Sequence, residues 1–82
     1  MSEPAIRDAI LAQTAARGAG KSICPSEVAR ALEPEDWQKL MPRIRREAAL
    51  LAREGRIDVL RKGKPVDPEA EIRGVIRLRV RP

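Results

Sequence analysis

The stretch from Glu35 to Gly55, EDWQKLMPRIRREAALLAREG, constrains the fold most. At about 100° per residue, Trp37, Leu40, Met41, Ile44, Ala48 and Leu51 fall on one face of a helix. Lys39, Arg43, Arg46 and Arg53 gather on the opposite face, with Arg45 at its margin. A helix with one apolar stripe has to bury that stripe against another layer. The chain has one Trp and no Phe or Tyr, so Leu, Ile, Val and Ala must fill most of that layer. Trp37 is therefore expected to be a buried core piece, whose truncation to Ala costs about 3–5 kcal/mol. Pro42 interrupts the pattern. Within a helix, proline removes one hydrogen bond and clashes with the carbonyl four residues back, which predicts a break or kink near Leu40–Pro42.

The flanking segments supply the remaining elements. Ser2 is a favourable N-cap, Glu3 and Pro4 suit a first turn, and Ile6, Ile10, Leu11 and Thr14 recur at helical spacing, predicting a helix over about 3–17. Gly18 and Gly20 supply its stop, and no P-loop spacing surrounds Lys21. A second helix is expected over 25–32, with Pro25 in its first turn, Cys24 or Ser22 near its cap and Val28, Ala29 and Leu32 as its stripe. The long helix occupies about 36–54, and Gly55 ends it. Ile57 and Val59 then alternate with Asp58 and Leu60, predicting a strand over 57–61 that turns at Lys62-Gly63. Residues 65–74 read as irregular. Ile76, Leu78 and Val80 alternate with Arg77, Arg79 and Arg81, predicting a strand over 75–80, and residues 21–23 suit a short third strand. The order of elements gives an α+β fold: a winged helix-turn-helix, three helices followed by a two- or three-stranded β-wing, in a single domain over 1–82. A domain of this size buries about 60–65% of the surface its unfolded chain exposes.

Charge narrows the function classes. The net charge of +5 is unevenly spread: four Lys/Arg stand against six Asp/Glu before Trp37, and thirteen against six from Trp37 onward. The positive excess therefore lies in the long helix and the hairpin, the elements a winged helix presents to a polyanion. The chain has no histidine and one cysteine, which removes histidine-based nucleophilic pairs, histidine metal sites, a zinc ribbon and an internal disulfide. No catalytic residues, metal, cofactor or small-molecule ligand are expected, and the protein reads as a non-enzyme. With no leader and no apolar run of about 20 residues, no membrane association is expected and the location is read as cytoplasmic. Cys24, near a helix N-terminus, is either a thiol of raised reactivity or a small packing residue.

The candidate nucleic-acid contacts are Lys39, Arg43, Arg45, Arg46 and Arg53 on the long helix, with Lys62 and Lys64 at the tip of the wing. Helix arginines in a major groove would reach phosphates and guanine edges, and a wing tip would hold the backbone beside it. Alternatively, the helix arginines form ordinary pairs such as Arg43 with Glu47. Arg77, Arg79 and Arg81 either contact phosphate or form a solvated, aggregation-resistant strand face. DNA is the leading partner and structured RNA a further one. The alternative from another class is a protein-interaction or dimerising winged helix whose basic face meets an acidic partner or a second copy. Leu50, roughly 140° from Trp37 on the helical wheel, is the residue to watch for that reading.

The strings ICPSEVARAL, W-x-x-L-M-x-x-I-R-x-x-A, G-R-I, G-K-P-V-D-P and G-V-I-R-L-R, spread from about Ile6 to Arg79, resemble a small bacterial family of unknown function. The resemblance implies a winged-helix fold and a stand-alone bacterial protein. It carries over no catalytic residue.

Overall fold

The computed structural model describes residues 2–81, so the two terminal positions of the expected 1–82 domain lie outside it. Three helices come first: α1 (Glu3–Arg17), α2 (Pro25–Leu32) and α3 (Trp37–Arg53). Three strands follow: β1 (Ile57–Arg61), β2 (Lys64–Pro65) and β3 (Arg77–Val80). The fold is α+β, three helices followed by a small antiparallel sheet, an order compatible with a winged helix. The sheet runs β2-β1-β3. Ile57 opposes Val80 and Leu60 opposes Arg77 in the β1–β3 pair, and Arg61 opposes Lys64 in the β1–β2 pair. The short strand expected over 21–23 is a single bridge. Ile23 exchanges both backbone hydrogen bonds with Leu78, at 2.8 Å each, which ties the α1–α2 connection to the outer side of β3.

Local chemistry accounts for the helix ends. Ser2 Oγ accepts from the Ala5 N–H, and α1 stops at Gly18, whose φ of +100° is one a side chain rarely adopts. At α2 the Cys24 N–H donates to the Glu27 carboxylate at 2.8 Å, satisfying a donor that the helix leaves orphaned. The β1–β2 connection is Lys62-Gly63, with φ of +52° and +81°. A two-residue hairpin turn needs positive φ at both central positions. Glycine accepts this freely, whereas a lysine there carries strain of about 1–2 kcal/mol.

The core is built by Ile6 and Ile10 of α1, Val28 and Ala29 of α2, Leu40, Ile44, Ala48, Leu51 and Ala52 of α3, and Ile23, Ile57, Val59, Ile76 and Leu78 on the sheet side. Trp37 departs from its expected burial. It is half-buried at the edge of this cluster, because it opens α3 next to the end of α2, and the Arg30 guanidinium lies 4.4 Å from its ring centroid. Isoleucine and leucine carry the interior instead. Pro42 does not break α3, which runs through it without interruption. Pro42 sits on the exposed side, and core contacts at Leu40 and Ile44 hold the helix on either flank of it. The lost hydrogen bond therefore falls on the solvent side, where water can replace it.

β3 is shorter than expected and starts at Arg77, while Lys64–Pro65 pairs as a strand at the head of a segment read as irregular. From Val66 to Val75 the chain is mostly irregular and lies along α3, where Arg45 and Arg53 hold it.

Candidate nucleic-acid interface

The α3 cations divide by what they meet. On the flank facing α1, Arg43 binds Glu3, with Nη2 at 2.6 Å and Nε at 3.1 Å from one carboxylate oxygen. That pairing replaces the Arg43–Glu47 pair expected from helical spacing. Glu47 is buried and faces Arg7 of α1 at 3.7 Å, and Arg7 also binds both oxygens of Glu54, at 2.7 and 2.9 Å. These guanidinium groups hold the Glu3 and Glu54 carboxyls below the usual carboxylate range, and Glu54 in turn raises Arg7.

On the flank facing the long loop, Arg45 donates to the carbonyls of Gly74 at 3.1 Å and Ile72 at 3.4 Å. Arg53 Nε donates to the Pro68 carbonyl at 3.0 Å and lies 3.9 Å from Glu69. Together with Pro42, Arg46, Ala49, Ala70, Glu71 and Ile72, these two arginines line a cleft of about 300 Å³ between helix and loop. Arg45 and Arg53 thus fasten the loop.

The ridge between the two flanks faces solvent. Arg46 is exposed and makes no hydrogen bond or ion pair among the described residues, although its charge reaches Glu3. Lys39 stands 3.9 Å from Asp36 with both side chains mostly exposed, a pair of little energetic weight. Lys62 and Lys64, at the hairpin tip, are exposed, and their ammonium groups likewise make no hydrogen bond or ion pair among the described residues. Of the seven expected contacts, Lys39, Arg46, Lys62 and Lys64 remain available to a ligand, while Arg43, Arg45 and Arg53 are held by the fold.

The β3 arginines are held too. Arg77 donates from Nε to Ser22 Oγ and from Nη2 to the Ser22 carbonyl, both at 2.8 Å. Arg79 binds Asp58 across the sheet at 2.9 Å, and Arg81 approaches the same carboxylate at 3.6 Å. Arg17 binds Glu27 at 2.6 Å. The Glu27 carboxyl lies below its usual range because the Cys24 N–H, then Arg17, stabilises its charged form. Cys24 Sγ accepts from the Ser26 hydroxyl at 3.0 Å, and the residue is half-buried.

Two apolar residues are displayed. Leu50, 36% exposed, lies on the α3 ridge, and Val75, 85% exposed, precedes β3. Period two places Val75 on the same side as Arg77, out of phase with Ile76, Leu78 and Val80, so the sequence carried a signal for its exposure. Among the described residues, no group of three or more His, Cys, Asp or Glu side chains could hold a metal ion, and no helix is long and apolar enough to cross a membrane.

In sequence, residues 3–81 match the family described as "Protein of unknown function (DUF3253)", and the chain belongs to that family. Among curated proteins, none matches the chain.

Proposed function

We propose that this DUF3253 protein is a winged-helix module that binds the phosphate backbone of duplex nucleic acid, DNA in the first instance. The contacts are Lys39 and Arg46 on the outer ridge of α3, with Lys62 and Lys64 at the wing tip. One observation carries the reading: cations without a strong carboxylate partner stand on the ridge and at the tip, while the α1-facing flank pairs its arginines with carboxylates and the loop-facing flank commits its own to loop carbonyls. A second feature supports it. A lysine occupies a positive-φ turn position that Asn or Gly fills more comfortably, so an ammonium group is kept at the tip in spite of backbone strain. A duplex suits this surface better than a single strand, because the only aromatic ring, Trp37, is half-buried under Arg30 and offers no stacking platform. With Arg43, Arg45 and Arg53 engaged inside the fold, base-edge contacts are few. Binding is then mainly to backbone and shape, and a role as a transcription regulator would need paired half-sites.

The test is fluorescence anisotropy with a labelled duplex as salt is raised. Binding at low salt that weakens linearly on log–log axes, by about 0.9 decade per neutralised phosphate for each decade of salt, is expected. Absence of binding at low salt overturns the reading.

The second reading, self-association or docking of an acidic protein, draws on Leu50 being exposed on that same ridge. Sedimentation of wild type and Leu50→Asp separates the two, since an unchanged monomer counts against self-association.

A further inference from the structure

The hollow beside the hairpin tip is lined by Ser22, Leu60, Lys62, Gly63, Val75 and Arg77 and holds about 300 Å³. Its apolar surface comes from Leu60, 5% exposed, and Val75, 85% exposed. Its charged lining, Lys62 and Arg77, is cationic, Ser22 is its neutral polar residue, and no Asp or Glu lines it. The partners of its two cations sharpen the point. Arg77 hydrogen-bonds only neutral atoms, the Ser22 hydroxyl and carbonyl, and its Nη1 has no hydrogen bond among the described residues. Lys62 has no hydrogen bond or ion pair among them and is held at a φ of +52° beside the hollow. Neither cation makes an ion pair among the described residues, although the charge of Arg77 reaches Glu27, and the two flank an apolar surface. Val75 also borders a second hollow of about 230 Å³, lined by Cys24, Pro25, Met41, Arg45, Gly74 and Ile76, again without an acidic residue. Arg45 there is bonded only to carbonyls.

We propose that the hairpin-tip hollow is a binding site for a small apolar carboxylate, with the anion at Lys62 and Arg77 and the hydrocarbon body on Leu60 and Val75. Charge complementarity selects an anion, because a neutral ligand would cover the Lys62 ammonium and the Arg77 guanidinium without giving either an ion pair. Size selects a small molecule, because the volume lies at the lower end of the range for ligand pockets. The site is independent of the nucleic-acid reading, and the two meet at Lys62: an occupied hollow would withdraw that ammonium group from phosphate.

The experiment is a titration of the protein followed by backbone amide NMR, with sodium hexanoate as probe and hexanamide as its neutral counterpart. Hexanoate is expected to shift the amides of Ser22, Gly63, Val75 and Arg77 saturably, with a dissociation constant on the order of 1 mM. Hexanamide should bind at least about tenfold more weakly, since it lacks the charge-assisted contacts. Lys62→Asn removes the ammonium and suits the left-handed turn, so it keeps the hairpin and should weaken hexanoate at least about fivefold. Val75→Asp, at an exposed position, should abolish binding. Equal affinity for hexanoate and hexanamide, no saturable shift with either, shifts elsewhere in the molecule, or an unchanged affinity in Lys62→Asn would each overturn the proposal. Duplex binding measured on the same variants keeps the two readings apart: loss of one without the other identifies which has failed.

Discussion

The α1-facing flank of α3 and the hairpin tip are both rich in cations, yet they use them in opposite ways. On the flank, Arg7 and Arg43 reach the carboxylates of Glu3, Glu47 and Glu54, joining helices that are distant in sequence. At the tip, Lys62 in the turn and Lys64 at the start of β2 make no ion pair with a carboxylate among the described residues. The difference teaches that a positive face is defined by what its cations lack. A helical wheel treats the α3 arginines alike, whereas the structure separates Arg43, paired with Glu3, and Arg45 and Arg53, bonded to loop carbonyls, from the exposed Arg46.

The comparison is most easily broken at the tip. Lys62→Asn combined with Lys64→Gln should lower duplex affinity about 60-fold at 0.1 M salt, because two phosphate contacts are each worth about 0.9 decade there. The melting temperature should hold or rise by a few degrees, because asparagine relieves the strain at the turn. A melting shift as large as the binding loss would show the lysines to be structural. The opposite pattern is expected on the flank. Arg7→Gln strands the buried Glu47 and loosens Glu54, which should lower the midpoint of chemical denaturation while leaving duplex affinity unchanged. Arg45→Gln frees the loop carbonyls of Ile72 and Gly74, at a cost of about 1 kcal/mol, and should raise amide exchange over residues 66–75.

The smallest effect is the pH dependence. Glu3, Glu27 and Glu54 titrate below their ordinary value of 4.5 in the folded protein, so each favours folding while it is ionised. That contribution is complete above the unfolded value and is lost as pH falls through the folded ones. Thermal stability should therefore be flat near neutrality and decline only below about pH 4.5. Arg43→Gln should remove the part of the decline that belongs to Glu3.

Much of the fold was legible because periodicity and punctuation agree. The caps and stops at Ser2, Gly18, Pro25 and Gly55 bound α1, α2 and α3 closely, and the alternation at Ile57–Arg61 and Arg77–Val80 marks both long strands. Two departures from expectation share a cause. Size and helical phase put Trp37 in the core, and of the break or kink that Pro42 predicts the break does not occur; each residue lies at an exposed or marginal point of α3 that the wheel alone does not reveal. The candidate site was only half legible. Which cations stand on α3 follows from spacing. That Arg43 reaches Glu3, forty residues earlier, or that Arg45 fastens Gly74, depends on tertiary contacts with no local signature.

The division of cations is tested most directly by the salt dependence of duplex binding, measured side by side for wild type, Lys62→Asn/Lys64→Gln and Arg43→Gln. The log–log slope of the double variant should be shallower than wild type by about 2, one unit for each lost phosphate contact, while the slope of Arg43→Gln should match wild type. A slope unchanged in the lysine variant, or reduced equally in Arg43→Gln, would contradict the assignment of the tip as the binding surface and the flank as scaffold.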